Sequence, residues 1–199
     1  MTNKTMIIAT KNEGKAKEFE NMFKSYGYEV KTLLDYPDIP EIPETGSSFK
    51  ENALQKATAI SERLDTIVLA DDSGLEVDAL NGQPGIYSAR YAGEHGNDEK
   101  NNEKLLNSLV HTPKNERGAN FHCSLVLVGP NKDALHVTGK VNGYILKEPH
   151  GSNGFGYDPI FYLPEKDKTM AELEEQEKNQ LSHRGKAINQ LKKHLNDWL

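Results

Sequence analysis

The sequence predicts an α/β protein, a long mixed sheet flanked by helices. Three observations predict it. The first third alternates short apolar runs with helical patterns, in the order strand, helix, strand, helix, strand. Further on, apolar runs at 121–128 and 134–141 flank Gly129-Pro130-Asn131-Lys132-Asp133, a hairpin whose loop is too long for a tight turn. With 199 residues, the chain is long enough to bury a core without disulfide staples.

Each element has its own signature. Residues 5–10 carry Met6, Ile7, Ile8 and Ala9, the continuous apolar run of a buried strand. The turn Lys11-Asn12-Glu13-Gly14 precedes a helix with Phe19, Met22, Phe23 and Tyr26 on one face. Residues 28–34 read as a strand and the proline-rich 36–43 as a loop. Ser47 or Ser48 caps a long helix through Leu64, with Phe49, Ala53, Ala57, Ile60 and Leu64 as its apolar stripe. Residues 66–70 form another buried strand, expected to end at Asp71-Asp72-Ser73-Gly74. Residues 81–85 are a turn, and Asn97 or Asp98 caps a helix carrying Leu105, Leu106 and Leu109. A glycine-rich loop at 151–158 leads to a short strand at 159–162. A last helix runs from about His183 to Trp198, with Ala187, Leu191, Leu195 and Trp198 on one face. The organisation predicted is a single domain over 1–199, with a smaller, more antiparallel lobe at roughly 85–150.

Composition narrows the function. The formal net charge is −6, from 30 acidic and 24 basic residues, which disfavours nucleic acid as the main partner. Such a chain binds phosphates only where its bases converge locally or where a divalent cation mediates. The single cysteine, Cys123, excludes an internal disulfide and any cysteine-built metal cage, and its apolar surroundings suit a small buried side chain. The apolar runs are far too short for a membrane span, and the N-terminal residues lack the apolar stretch of a signal peptide. A soluble cytoplasmic protein with no membrane partner is expected.

Five segments can carry chemistry. Thr10, Lys11, Asn12, Glu13, Gly14 and Lys15 lie between a strand and a helix, where free N–H groups and the helix dipole favour an anion. The same residues also read as a helix capped by Asn12 with solvated lysines. Asp71 and Asp72 follow a buried strand, and because adjacent strand residues point to opposite faces, the two should not share a role. One can face a cleft and bind a hard cation while the other anchors the turn, or both can belong to a plain Asp-Ser-Gly turn. Glu44, before Thr45-Gly46, is a second candidate metal carboxylate, and Lys56 lies one helical turn beyond Asn52; either is also read as a solvated charge. In Phe155-Gly156-Tyr157-Asp158 the aromatic faces can stack on a base and Asp158 can accept from a base N–H; alternatively the aromatics plug the core. His183 and Arg184, after the natural cap Ser182, offer donors for a carbonyl oxygen or a phosphate.

Taken together, the stretches IIATKNEGKAKEFE, ETGSSFKENALQKA, ADDSGLEVDALNGQPGIYSARYAG, FHCSLVLV, GSNGFGYDPIF and LSHRGKA resemble the inosine triphosphate pyrophosphatase family, in the family's order and over nearly the whole chain. The resemblance implies an elongated α/β structure, two lobes with a substrate cleft between them, and a homodimer. It implies hydrolysis of non-standard purine nucleoside triphosphates with Mg²⁺ as cofactor. By motif match, residues 10–15 bind the triphosphate, Asp72 is proton acceptor and magnesium ligand, and Ser73 touches substrate. Phe155, Gly156, Tyr157 and Asp158 hold the purine. Lys178 is a further substrate contact, His183 and Arg184 read the base, and Lys56 lies near the phosphates. Many relatives carry consecutive acids before the Thr-Gly. Here Pro43 cannot ligate, so Glu44 is taken as the second metal ligand.

The chemistry agrees with these roles. A triphosphate on an acidic protein needs a cation and converging lysines, which Asp72, Lys15, Lys56 and Lys178 can supply. Cleavage between the α and β phosphates gives a monophosphate and pyrophosphate. Inosine and xanthosine bases carry a 6-keto acceptor that suits His183, Arg184 and backbone N–H donors. Adenine puts an amino group there, leaving donors unpaired at about 1–3 kcal/mol each. The expected role is removal of deaminated purine nucleotides before they enter DNA or RNA. The rival readings are a pyrophosphatase for modified pyrimidine or bulk nucleotides and a catalytically silent nucleotide sensor.

Overall fold

The structure, a computed structural model, describes residues 4–24 and 28–198. Tyr26, expected on the first helix, lies outside the described residues. The chain forms β1 (Lys4–Ile8), α1 (Glu13–Lys24), β2 (Tyr28–Thr32), α2 (Phe49–Leu64), β3 (Val68–Val77), α3 (Asp98–Ser108), β4 (Gly118–Val128), β5 (Leu135–Ile145), β6 (Phe161–Leu163), β7 (Lys168–Thr169), α4 (Glu175–Leu181) and α5 (His183–Trp198), with short 3₁₀ turns between them. Among the described residues, seven strands form one sheet in the order β2-β1-β3-β4-β5-β6-β7. β1 pairs in parallel with β2 and β3, whereas β6 is antiparallel to β5 and β7, so the sheet is mixed as the sequence predicts.

The chain divides into two compact units, one within Met1–Asp72, Cys123–Gly139 and Gly185–Leu199, the other Ser73–His122 and Lys140–Arg184. The second unit therefore takes in part of the 85–150 stretch, but residues 123–139 within that stretch belong to the first.

The continuous apolar runs of the first unit reflect burial on both faces of its strands. Met6, Ile8, Leu69, Cys123 and Leu125 pack in one cluster with Phe19 and Phe23 of α1 and Leu191 of α5. Their sequence neighbours Ile7, Ala9, Val68, Ala70 and Val126 pack in another with Ala53, Ala57 and Ile60 of α2. Period-two alternation sends successive side chains to opposite faces, and helices cover both. In the second unit, Leu75, Val77, Leu105, Leu109, Phe121, Val141 and Phe161 share one cluster. Arg117 is buried there and donates to the carbonyls of Leu109, Ile145 and Leu146, tying the end of α3 to the end of β5.

Helix α2 starts where Ser48 accepts from Glu51 N–H and stops at Asp65, whose φ of 47° leaves the helical region. One expectation fails at β3. The Asp71-Asp72-Ser73-Gly74 segment is not a terminating turn; the strand continues through it to Val77. Leu75 and Val77 are wholly buried, so the apolar drive resumes beyond the polar residues, and those residues find partners without leaving the sheet. The short elements β7 and α4 and the 3₁₀ segment Gly85–Arg90 also lie outside the elements read from the sequence.

Candidate active site

The first unit gathers a carboxylate–lysine cluster around the middle of β3. Asp71 and Asp72 point to opposite faces, as strand alternation requires. The Asp71 carboxylate pairs with the Lys15 ammonium and accepts the Cys123 thiol proton at 3.3 Å. On the other face, Asp72 Oδ2 accepts from Asn52 Nδ2 at 3.0 Å, and Lys56 Nζ lies 3.8 Å from Asp72 Oδ1. Lys56 also reaches Glu44 Oε1 at 2.6 Å and the Asp71 carbonyl at 2.7 Å. Glu44 and Asp72 thus converge on one ammonium, so neither Glu44 nor Lys56 is the solvated charge that isolated residues would be.

The electrostatics follow from this packing. Burial is the largest influence on Asp72; with the Glu44 charge it pushes the carboxyl up to about 6, against the opposing pull of Lys56, Lys15 and Asn52. Burial also works to lower the pKa of Lys56, but the charges of Asp72, Glu44 and Asp71 outweigh it and hold the ammonium above its ordinary value. Two carboxylates around one lysine leave the cluster acidic.

Asn52 is the residue that sequence reasoning passes over. It is fully buried, and while its Nδ2 holds Asp72 its Oδ1 accepts from Gly46 N–H at 2.8 Å. One amide therefore joins Asp72 to the loop that carries Glu44. Gly46 fits here because a Cβ would sit 2.6 Å from Glu51 Cβ and 2.8 Å from Asn52 Oδ1. The available signal was position: Asn52 is three residues after Phe49 and one helical turn before Lys56, so it faces both the core and the lysine.

Residues 10–15 fold as a capped helix start. Asn12 Oδ1 accepts from Lys15 N–H at 3.0 Å, and Thr10 Oγ1 accepts from Asn12 N–H at 3.1 Å. Lys11 Nζ donates to the Ile39 carbonyl at 2.7 Å, pinning this turn to the 36–43 loop. Glu13 and Gly14 form the first turn of α1.

The second unit gathers the aromatic and basic candidates. Lys178 Nζ donates to Asp158 Oδ2 at 2.7 Å, and that oxygen also accepts from Phe155 N–H at 3.0 Å. Lys178 lies 4.8 Å from the Phe155 ring centroid and the Arg184 guanidinium 5.8 Å from it. Arg184 is 2% exposed and donates to Ser73 Oγ at 3.0 Å, while His183 stacks on Phe121 at 4.9 Å between centroids. Gly154, at φ +77°, admits the Asp158–Lys178 pair; a Cβ there would lie 2.1 Å from Asp158 Oδ2.

Two details refine this cluster, the first matching for Tyr157 the alternative of an aromatic that plugs the core. Tyr157 is 5% exposed within the core cluster and its hydroxyl donates to the Ser88 carbonyl at 2.7 Å, so Phe155 rather than Tyr157 supplies the half-buried ring. The N–H groups of Phe155 and Gly156 are committed to Asp158 and Asp98 respectively.

The scaffold is thus a mixed-sheet α/β fold that holds a buried carboxylate beside lysines in one unit and a ring flanked by lysine and arginine in the other. The chain belongs to the Ham1 family, whose sequence pattern matches residues 6–194. It is 57% identical over 192 residues to the dITP/XTP pyrophosphatase of Halalkalibacterium halodurans, covering 96% of this chain and 99% of that protein. It is 55% identical over 188 residues to the dITP/XTP pyrophosphatase of Geobacillus kaustophilus, covering 94% and 92%. Among solved structures, it is similar to the Ham1 protein of Staphylococcus aureus, at 48% identity and a TM-score of 0.86 over 98% of this chain and 99% of that one. A HAM1 protein from Coxiella burnetii matches at 39% identity and a TM-score of 0.87 over the same shares.

Proposed function

We propose that the chain hydrolyses non-standard purine nucleoside triphosphates (ITP, dITP and XTP) to the nucleoside monophosphate and pyrophosphate, and so clears them before incorporation into DNA or RNA. Relatives at 57% and 55% identity that are named dITP/XTP pyrophosphatases support this reading, and the observation that carries it is Asp72 buried between Asn52 and Lys56 with Glu44 alongside.

The donor set fits Mg²⁺. Asp72 and Glu44 are hard oxygen donors in an acidic cluster, and among the described residues no group of three or more His, Cys, Asp or Glu side chains forms a dedicated cage. Mg²⁺ favours this arrangement, since it binds through one or two carboxylates plus substrate phosphates. Asp72 and Glu44 would hold the ion, which when bound neutralises charge on the phosphates. The remaining work belongs to the protein. Asp72 accepts a proton from the attacking water. Lys15, Lys56 and the start of α1 bind the triphosphate through charge and N–H groups. In the second unit, Phe155 stacks on the purine while Lys178, His183 and Arg184 donate to its oxygens, the 6-keto group foremost; Ser73 and Asp158 orient these donors. A homodimer working in the cytoplasm completes the reading.

A substrate panel tests it. With Mg²⁺, kcat/KM for ITP and XTP should exceed that for ATP by at least about 100-fold, the discrimination expected when a site loses two buried hydrogen bonds. Equal use of ATP, or preference for a pyrimidine triphosphate, would overturn it.

A further inference from the structure

In the segment 155–158, Asp158 and Tyr157 are anchored by Lys178 and by the Ser88 carbonyl, and Gly156 between Phe155 and Tyr157 is held from outside the segment. Gly156 has φ +64° and open space around its Cα, so its conformation is not enforced by crowding. Helix α3 supplies the hydrogen bonds to Gly156. Gly156 N–H donates to Asp98 Oδ2 at 2.7 Å, and Gly156 carbonyl accepts from Asn102 Nδ2 at 2.8 Å. Asn102 Nδ2 also donates to the Asp98 carbonyl at 2.9 Å, so the two residues, one turn apart, hold both backbone polar groups of one glycine. Helix α3 is itself fixed: Asn97 caps it by accepting from Lys100 N–H, and Asn101 ties it to the Ala89 carbonyl and Ala92 N–H.

We propose that Asp98 and Asn102 are positioning residues for base specificity: α3 fixes the Gly156 backbone and thereby the orientation of the Phe155 ring against Lys178 and Arg184. This rests on the reading that Phe155 receives the purine. The chemistry requires two different groups. Gly156 N–H needs an acceptor and its carbonyl needs a donor; the carboxylate supplies a charge-assisted acceptor and the amide supplies the donor. With either grip removed, the glycine is held by one hydrogen bond fewer and more of its backbone conformations open to it. The ring is then no longer held where a 6-keto oxygen meets the cationic donors, and discrimination falls because it depends on placement within about 1 Å.

The test is the ratio of kcat/KM for ITP to that for ATP in wild type, Asn102→Ala, Asp98→Ala and Asp98→Asn. This ratio is independent of the fraction of enzyme that is folded, so a purely structural defect leaves it unchanged. In both alanine variants it should fall about tenfold or more, chiefly through a raised KM for ITP. Asp98→Asn keeps an acceptor oxygen and should retain more of the ratio than Asp98→Ala. If the alanine variants lower both substrates by one common factor, α3 only stabilises the fold and the inference is overturned. If wild type shows no preference for ITP, the functional reading itself fails, a result distinct from a wild-type preference that the variants leave intact.

Discussion

In the proposed function Asp72 carries most of the chemistry. Asp72→Asn keeps the side-chain shape and an oxygen for Asn52, but loses the basic site and the negative charge. Turnover should fall by about 10²–10⁴-fold, the range of a lost general base, with KM changed far less. Stability should move the other way. The carboxyl's pKa is raised from 3.8 to about 6 in the folded chain, so ionisation penalises the folded state, and stability is lost as pH rises between those values. In magnesium-free buffer above pH 7, thermal denaturation of Asp72→Asn should show a melting temperature equal to or higher than that of wild type; a clear drop would mean that Asp72 is a structural ion-pair partner.

Arg184 belongs to the same scale. Its guanidinium lies over Phe155 and holds Ser73, and its charge-assisted bond to a keto oxygen should outweigh a neutral one. Arg184→Ala should lower kcat/KM for ITP at least about tenfold more than for ATP. Equal losses on both substrates would make Arg184 a phosphate ligand.

At the scale of elements, the strands and helices of the first third were legible because period-two and helical patterns act over whole segments. Ser48 illustrates how far local signals reach: its cap is visible in the sequence and present in the fold. Ser48→Ala should cost about 1 kcal/mol in chemical denaturation, the usual worth of an N-cap, and leave the ITP to ATP ratio unchanged; a shifted ratio would show that the start of α2 also governs specificity. The continuation of β3 was not legible. Asp-Asp-Ser-Gly has turn composition, and only partners distant in sequence, Lys15, Cys123, Asn52, Lys56 and Arg184, allow those polar side chains to stay in a strand. The partners of Asn52, and of Asp98 beyond its reading as a helix cap, were hidden for the same reason. A polar residue in a helix looks solvated until the segment it grips is known.

At the scale of the molecule, each of the two units has its own apolar clustering and its own group of candidate residues. In the proposed function a divalent cation offsets the charge between an acidic chain and a polyanionic substrate. EDTA should abolish turnover, and added magnesium should restore it; full activity in EDTA would remove the metal from the mechanism. Glu44→Gln should raise the magnesium concentration needed for half-maximal activity, and an unchanged requirement would exclude Glu44 as a ligand.

The measurement that bears most directly on the central claim is product analysis of ITP hydrolysis by phosphorus NMR, with magnesium present. The account predicts inosine monophosphate and pyrophosphate in equal amounts, with no inosine diphosphate at any time. Release of inorganic phosphate with inosine diphosphate, or binding of ITP without turnover, would contradict it.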